Sequence, residues 1–187
     1  MARKAKRTAK RTRKKARTTR ATRTIPIPPG MRTVTPYLVI SGAAKAIEFY
    51  KKAFGAKEIS RQPMENGMLM HAMIKVGDSL IMMSDEFPGS DSKSPTSAGA
   101  TTFNLHIYTK DVDKLWNQAV KAGATPTMPL ENQFWSERYG KLQDPFGHIW
   151  SVAMVVKMSE AEKEAKRQAA FAAFEKGEHP GSESGSM

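Results

Sequence analysis

The chain has 187 residues, with 30 Lys and Arg against 18 Asp and Glu and not one cysteine. That length suits one domain or a pair of small repeats with a real core. The lack of cysteine excludes disulfides, thiolate zinc sites and a cysteine nucleophile, and no apolar run approaches the ~18 residues of a membrane span.

Residues 1–24 hold twelve of the cationic side chains, among them Lys4, Arg7, Lys10, Arg11, Arg13, Lys14, Lys15 and Arg17, and no acid. The rest of the chain is balanced, so the net charge of +12 belongs to this tail. No apolar core follows its basic start, as a secretory signal needs. Residues 2–24 also lack the Leu, Ile, Val and Phe of an amphipathic presequence. A cytoplasmic protein is expected, nucleoid-associated if residues 1–24 bind nucleic acid non-specifically through their charge. A solubilising extension, anionic lipid and RNA are the rival readings of the same composition. Ile25-Pro26-Ile27-Pro28-Pro29-Gly30 then reads as a stiff linker, so residues 1–33 are expected to be a disordered basic tail with its linker.

Tyr37 to Ser41 predicts a strand. Ala43, Ile47, Tyr50 and Phe54 recur on one helical face, and Gly55 ends that helix. Strands follow over residues 57–62, 68–76 and 79–84, with Asn66-Gly67 as a hairpin turn. Residues 88–100 form a Ser/Gly/Pro loop. The order then repeats: a strand over residues 102–109, Asp111 as an N-cap, and an apolar stripe of Val112, Leu115, Trp116, Ala119 and Val120 stopped by Gly123. Strands over residues 125–130, 138–143 and 148–156 complete the second unit, with Asp144-Pro145-Phe146-Gly147 as the turn of the last hairpin. Ser159 and Glu162 make a capping box for a helix to about residue 176, whose stripe of Ala161, Ala165, Phe171 and Phe174 suggests docking on the body or a second subunit. Residues 157–177 are thus a C-terminal helix, and residues 178–187 read as a disordered tail.

Alternation along the strands sorts side chains by face. Leu38, Ile40, Ile81, Met83, Leu105, Ile107, Trp150 and Val152 form an apolar set for helices to cover. The opposite parity carries Thr35, Tyr37, Met82, Ser84, Asn104, His106, Tyr108 and Ser151, a mixed aromatic and polar surface suited to an organic ligand. With His71, Trp135 and Arg138 added, the candidate ligand-binding residues are Tyr37, His71, Met82, Asn104, His106, Tyr108, Trp135, Arg138 and Ser151. His106 is the best candidate for a general acid or base, because imidazole titrates near working pH. Core or interface packing is the bland alternative for His71, His106 and Trp135, and ordinary strand-end exposure for Arg138. His148 is expected at the surface after its turn, Asp85 and Glu86 at a solvated strand edge, and Glu48 with Lys51 and Lys52 on a solvated helix face. Most of the methionines crowding the first half are expected in the core.

Thr35-Pro36-Tyr37-Leu38, Ala46-Ile47-Glu48-Phe49-Tyr50, His71-Ala72, Ile81-Met82-Met83-Ser84-Asp85, Phe134-Trp135 and the run from Arg138 to Trp150 carry a resemblance in their order and spacing. Residues 34–156 resemble the vicinal-oxygen-chelate superfamily of glyoxalase, bleomycin-resistance and extradiol-dioxygenase proteins, nearest its PhnB-like branch. The resemblance implies an α+β fold of paired βαβββ modules, a cupped eight-stranded sheet with helices on its outer face, and a homodimer. Metal-dependent members place one ligand on each of four strands. Thr35, Met82, Asn104 and Ser151 stand at the matching positions, and this donor set is poor for a divalent ion. The expectation is therefore no metal and no cofactor. The function that follows is metal-independent small-molecule binding in the cupped sheet, with the tail as a tether to nucleic acid. An isomerase, lyase or hydrolase using His106 is the alternative.

Overall fold

The structure, a computed structural model, describes residues 27–177. The sequence expectations for residues 1–26 and 178–187 lie outside the described residues. Two βαβββ modules follow one another. The first holds β1 (Tyr37–Ile40), α1 (Ala43–Phe54), β2 (Lys57–Pro63), β3 (Leu69–Val76) and β4 (Ser79–Asp85). A short helix, α2 (Pro95–Ala98), sits in the connector. The second module holds β5 (Asn104–Tyr108), α3 (Val112–Ala122), β6 (Thr125–Gln133), β7 (Glu137–Gln143) and β8 (Ile149–Val155), and α4 (Glu160–Glu175) follows. The eight strands divide into two four-stranded sheets, ordered β1-β4-β3-β2 and β5-β8-β7-β6. In each the first strand runs parallel to the last, which the intervening helix makes possible, and the remaining pairs are antiparallel.

The predicted helical stripes are the buried ones. Ala43, Ile47, Tyr50, Ala53 and Phe54 of α1 enter the core, as do Val112 and Ala119 of α3, whereas Val120 is more than a third exposed. Both helices end on a left-handed glycine, Gly55 and Gly123. Asp111 caps α3 by accepting from the Lys114 amide. The N-cap of α1 is Gly42, which has no side chain to offer. Asp85 at the end of β4 does the work instead, accepting from the amides of Gly42 and Ala43 at 2.9 Å and from Leu69 at 2.6 Å. Asp85 is therefore buried and not at a solvated edge, because the helix N-terminus needs an acceptor there.

One hydrophobic core spans both modules. The helices α1 and α3 lie side by side, and Gln118 of α3 donates to the carbonyls of Lys52 and Ala53 at the end of α1. A Cβ on Gly140 would come within 2.6 Å of the Trp116 ring, so the absent side chain lets α3 settle onto β7. The closest tie between modules is Asp144, in the turn between β7 and β8. Its Oδ1 accepts from the amides of Phe146 and His148. Its Oδ2 accepts from the Tyr50 hydroxyl at 2.8 Å and the Trp150 indole at 2.9 Å. Burial, and then the Asp144 carboxylate, push the Tyr50 phenol well above its ordinary pKa. Phe54 stacks obliquely on Trp150 at 4.4 Å between ring centres.

The connector is also held by a carboxylate. Glu86 accepts from the Ser94 hydroxyl at 2.6 Å and from its amide at 3.0 Å, and Lys93 sits 3.5 Å away. Ser94 is fully buried and caps α2, and Pro95 packs on Gly147 of the β7–β8 turn. Neither α2 nor this anchoring of Glu86 was expected from the loop-like composition. The helices α1 and α3 cover one face of each sheet, and the opposite faces stay open. Tyr37, Tyr108 and Val155 are 46%, 64% and 72% exposed there. No residue of α4 is buried; the helix touches the body where Phe171 meets Phe134 at 6.0 Å between ring centres.

Two outcomes follow from these ties. Tyr50→Phe keeps the ring and loses one hydrogen bond to a buried carboxylate, and should cost about 1–2 kcal/mol in denaturant unfolding. Asp144→Ala strands the indole, the phenol and two amides, and should cost about 3 kcal/mol or more. An Asp144→Ala variant as stable as Tyr50→Phe would show that the joint does not depend on the carboxylate.

The Ser94 hydroxyl, then Ser97 and the Ser94 amide, hold the Glu86 pKa down from 4.5 to about 2. A depressed carboxylate stabilises its folded contacts fully above its unfolded value, and that contribution fades as pH falls through the folded value. The Ser94 and Ser97 amides should therefore lose hydrogen-exchange protection between pH 4.5 and about 2. In Glu86→Gln they should be less protected at neutral pH, with a weaker pH dependence. Equal pH dependence in both proteins would disprove the link.

Candidate functional site

The open face of the second sheet gathers a polar chain framed by aromatic rings. β5 and β8 pair so that His106 faces Ser151 and Asn104 faces Ile149. Ser151 is fully buried, and its Oγ accepts from the Asn104 amide Nδ2 at 2.8 Å. The same oxygen lies 2.8 Å from His106 Nδ1. A buried hydroxyl left without an acceptor costs about 1–3 kcal/mol. The arrangement that satisfies every group sends the serine proton to Nδ1. His106 is then the Nε2–H tautomer, a hydrogen-bond donor at its far nitrogen.

Rings flank this imidazole. Tyr108 meets it edge-on at 4.4 Å, and Tyr139 lies nearly parallel to it at 5.9 Å. Tyr139 also meets Trp135 at 5.6 Å in a T-shaped contact. Glu137 ties the cluster together, accepting from the Tyr108 hydroxyl at 2.6 Å and from the Trp135 indole at 2.9 Å. That bond raises the Tyr108 pKa. Trp135 belongs to the tight turn between β6 and β7, where Ser136 takes a positive φ of 67°. Beside the cluster, a cavity of about 710 Å³ runs along the outer edge of β5, between it and the β3–β4 turn.

Five of the nine candidates thus come together: Asn104, His106, Tyr108, Trp135 and Ser151. Tyr37, His71 and Met82 form a second group on the first sheet, where Tyr37 and Met82 are register partners and the Tyr37 and His71 rings lie 5.9 Å apart. Arg138 joins neither group. It faces α3 and grips Asp113 with two nitrogens, at 2.6 and 3.0 Å. This pair lowers the Asp113 pKa and raises that of the arginine. Glu137 was missed, and Tyr139 was not counted among the nine. Parity held the signal for Tyr139: if Leu142 points to the core, Tyr139 shares the open face with Lys141. His148, expected at the surface, is only 4% exposed, because the connector covers the turn from which it springs.

A divalent ion has no matched donors here. The Thr35 hydroxyl donates to the Arg32 carbonyl, Ser151 is already committed to Asn104 and His106, and Met82 offers only a thioether. Among the described residues no cluster of three His, Cys, Asp or Glu could hold a metal. Thr35, Met82, Asn104 and Ser151 thus offer a divalent ion no matched set of ligands.

The fold recurs in known proteins. An uncharacterized protein of Mycobacterium bovis is 42% identical over 127 residues, covering 66% of this chain and 84% of its own. YjdN of Escherichia coli is 26% identical, covering 65% of this chain and 95% of its own. Among solved structures, TioX from Micromonospora superposes with a TM-score of 0.55 at 24% identity, covering 67% of this chain and all of its own. A PhnB protein from Bacillus cereus gives a TM-score of 0.53 at 19% identity, with 66% of this chain and all of its own covered. No helix among the described residues is long and apolar enough to cross a membrane. Residues 32–152 match the Glyoxalase/Bleomycin resistance protein/Dioxygenase superfamily, and the chain belongs to that superfamily.

Proposed function

We propose that this protein binds an organic small molecule on the open face of its second sheet, without a metal. The observation that carries this reading is the Asn104–Ser151–His106 chain, in which the Ser151 oxygen meets both neighbours; Asn104 and Ser151 are two of the four positions that the resemblance matches to metal ligands. It offers a ligand an N–H donor between two tyrosine rings, with an indole nearby. An apolar or aromatic body with one hydrogen-bond acceptor suits these walls. Binding fits better than turnover, since the superfamily's usual electrophile is a metal ion. The enzymatic alternative keeps one support: a tautomer locked by Ser151 presents a proton at Nε2, as a general acid requires. The open faces favour a homodimer in which each is covered by a partner. The absence of cysteine fits a cytoplasmic setting.

Native mass spectrometry of freshly purified protein should show a dimer carrying a small molecule unchanged in mass over time. His106→Ala should lower its occupancy or affinity about five- to 150-fold. Lys52→Ala, on an exposed turn of α1, should have no effect. Equal retention by both variants would remove His106 from the site, and conversion of the bound molecule would favour the enzymatic reading.

The basic segment of residues 1–24 has a separate proposed role, non-specific binding of nucleic acid. If about six of its cations meet phosphates, log K should fall with log salt at a slope of about −5 on duplex DNA. Deleting residues 1–24 should abolish DNA binding and leave folding unchanged. A truncated protein that still shifts DNA, or a full chain that ignores DNA at low salt, would refute this role.

A further inference from the structure

A run of ring contacts leads from the C-terminal helix to the imidazole of the site. Phe171 of α4 meets Phe134 at 6.0 Å between ring centres, and Phe134 meets Trp135 at 4.9 Å. Trp135 meets Tyr139 at 5.6 Å, and Tyr139 lies nearly parallel to His106 at 5.9 Å. The first three contacts are edge-to-face, a geometry that aromatic pairs prefer. Each ring therefore has a tilt set by its neighbour.

The turn between β6 and β7 carries the two middle rings. Its Ser136 amide donates to the Gln133 carbonyl at 3.0 Å, so Phe134 and Trp135 are its central residues and turn as one piece. Ser136 itself takes a positive φ, which a residue with a side chain adopts only at a cost. A turn of that kind keeps its shape where its surroundings hold it. Two holds come from the segment that leads into α4 and from α4 itself. The Val156 amide, just after β8, donates to the Ser136 carbonyl at 2.9 Å, and Phe171 abuts Phe134. Glu137 supplies a third by accepting from the Trp135 indole. That bond pins one atom of the indole and leaves its plane to the flanking rings.

We propose that α4 braces the ligand face: Phe171 and Phe134 are positioning residues for Trp135, and docking of α4 and occupancy of the face beside His106 strengthen each other. This rests on the reading of that face as the ligand site. The helix suits the part because its own order is marginal: none of its residues is buried, and its capping box and ion pairs are local. A helix near balance between docked and frayed responds to a small bias. A ligand seated against Trp135 and Tyr139 holds the turn in the shape that Phe171 meets, and so favours docking. Linkage is reciprocal, so loss of the docked helix weakens the ligand in turn.

Acetophenone, an aromatic body with one carbonyl acceptor, tests this on the full chain. Phe171 is more than half exposed, so Phe171→Ala leaves the core intact. It should weaken acetophenone binding about three- to tenfold and speed solvent exchange of the Trp135 indole N–H on NMR by a similar factor. The unfolding midpoint of the body should not move. Phe171→Tyr, which keeps a ring, should restore both readouts. Glu162→Ala breaks the capping box at the other end of α4 and should shift both in the same direction. Saturating acetophenone should slow amide exchange in α4 of the wild-type protein and not in Phe171→Ala. Binding that is lost in His106→Ala but untouched in Phe171→Ala and Glu162→Ala would keep the ligand site and overturn the brace. No binding at millimolar concentration, even with the Trp135 signal moved by Phe171→Ala, would overturn the ligand reading and the coupling with it.

Discussion

The carboxylate of Asp144 is the point on which the two halves of this molecule are joined. A buried carboxylate is costly unless every lone-pair direction is met, and here four donors meet it from three places in the chain. Two come from its own turn, one from β8 and one from α1 of the other module. Tyr50 can reach it only if α1 lies against the second sheet, and that position sets α1 beside α3, where Gln118 caps its last carbonyls. The apolar face of each sheet is then spent on helices, so the polar and aromatic faces are those left open. Which face can meet a ligand is thus decided by a hydrogen bond some distance from either.

The open face of the second sheet is organised by polar side chains from neighbouring strands that bond to one another. Asn104 and Ser151 bond directly, and the hydroxyl passes its polarity on to His106. Tyr108 and Trp135 are both steered by Glu137, which takes one bond on each oxygen. The outcome is a surface whose donors are pre-set and whose walls are flat rings, with little rotamer freedom left to lose when something settles on it.

Much of this was legible from the sequence. The helical stripes, the terminating glycines, Asp111 as a cap and the Ser159–Glu162 box are local signals, and each sits where its chemistry demands. Strand parity likewise brought Asn104, His106, Tyr108 and Ser151 to one face. What escaped depended on distant partners. Asp85 and His148 read as surface residues because nothing near them in sequence shows that a helix N-terminus or the connector will cover them. Arg138 was grouped with a pocket because its partner Asp113 lies 25 residues away on α3. Irregular register between Pro126 and Glu131 also blurs the alternation of β6, which runs three residues further than its pattern suggested.

The exposed C-terminal helix stands apart from all of this. Every residue of α4 is at least partly exposed, and its order comes mainly from within: the reciprocal box of Ser159 and Glu162, and ion pairs or hydrogen bonds of Glu160 with Lys163 and of Glu164 with Arg167 and Gln168. A helix of 16 residues held by local bonds is marginal in water and frays without unfolding its neighbours. Its opening is therefore uncoupled from the joint at Asp144. What fraying of α4 would disturb instead is the Phe171–Phe134 contact, and through Phe134 the Trp135 ring.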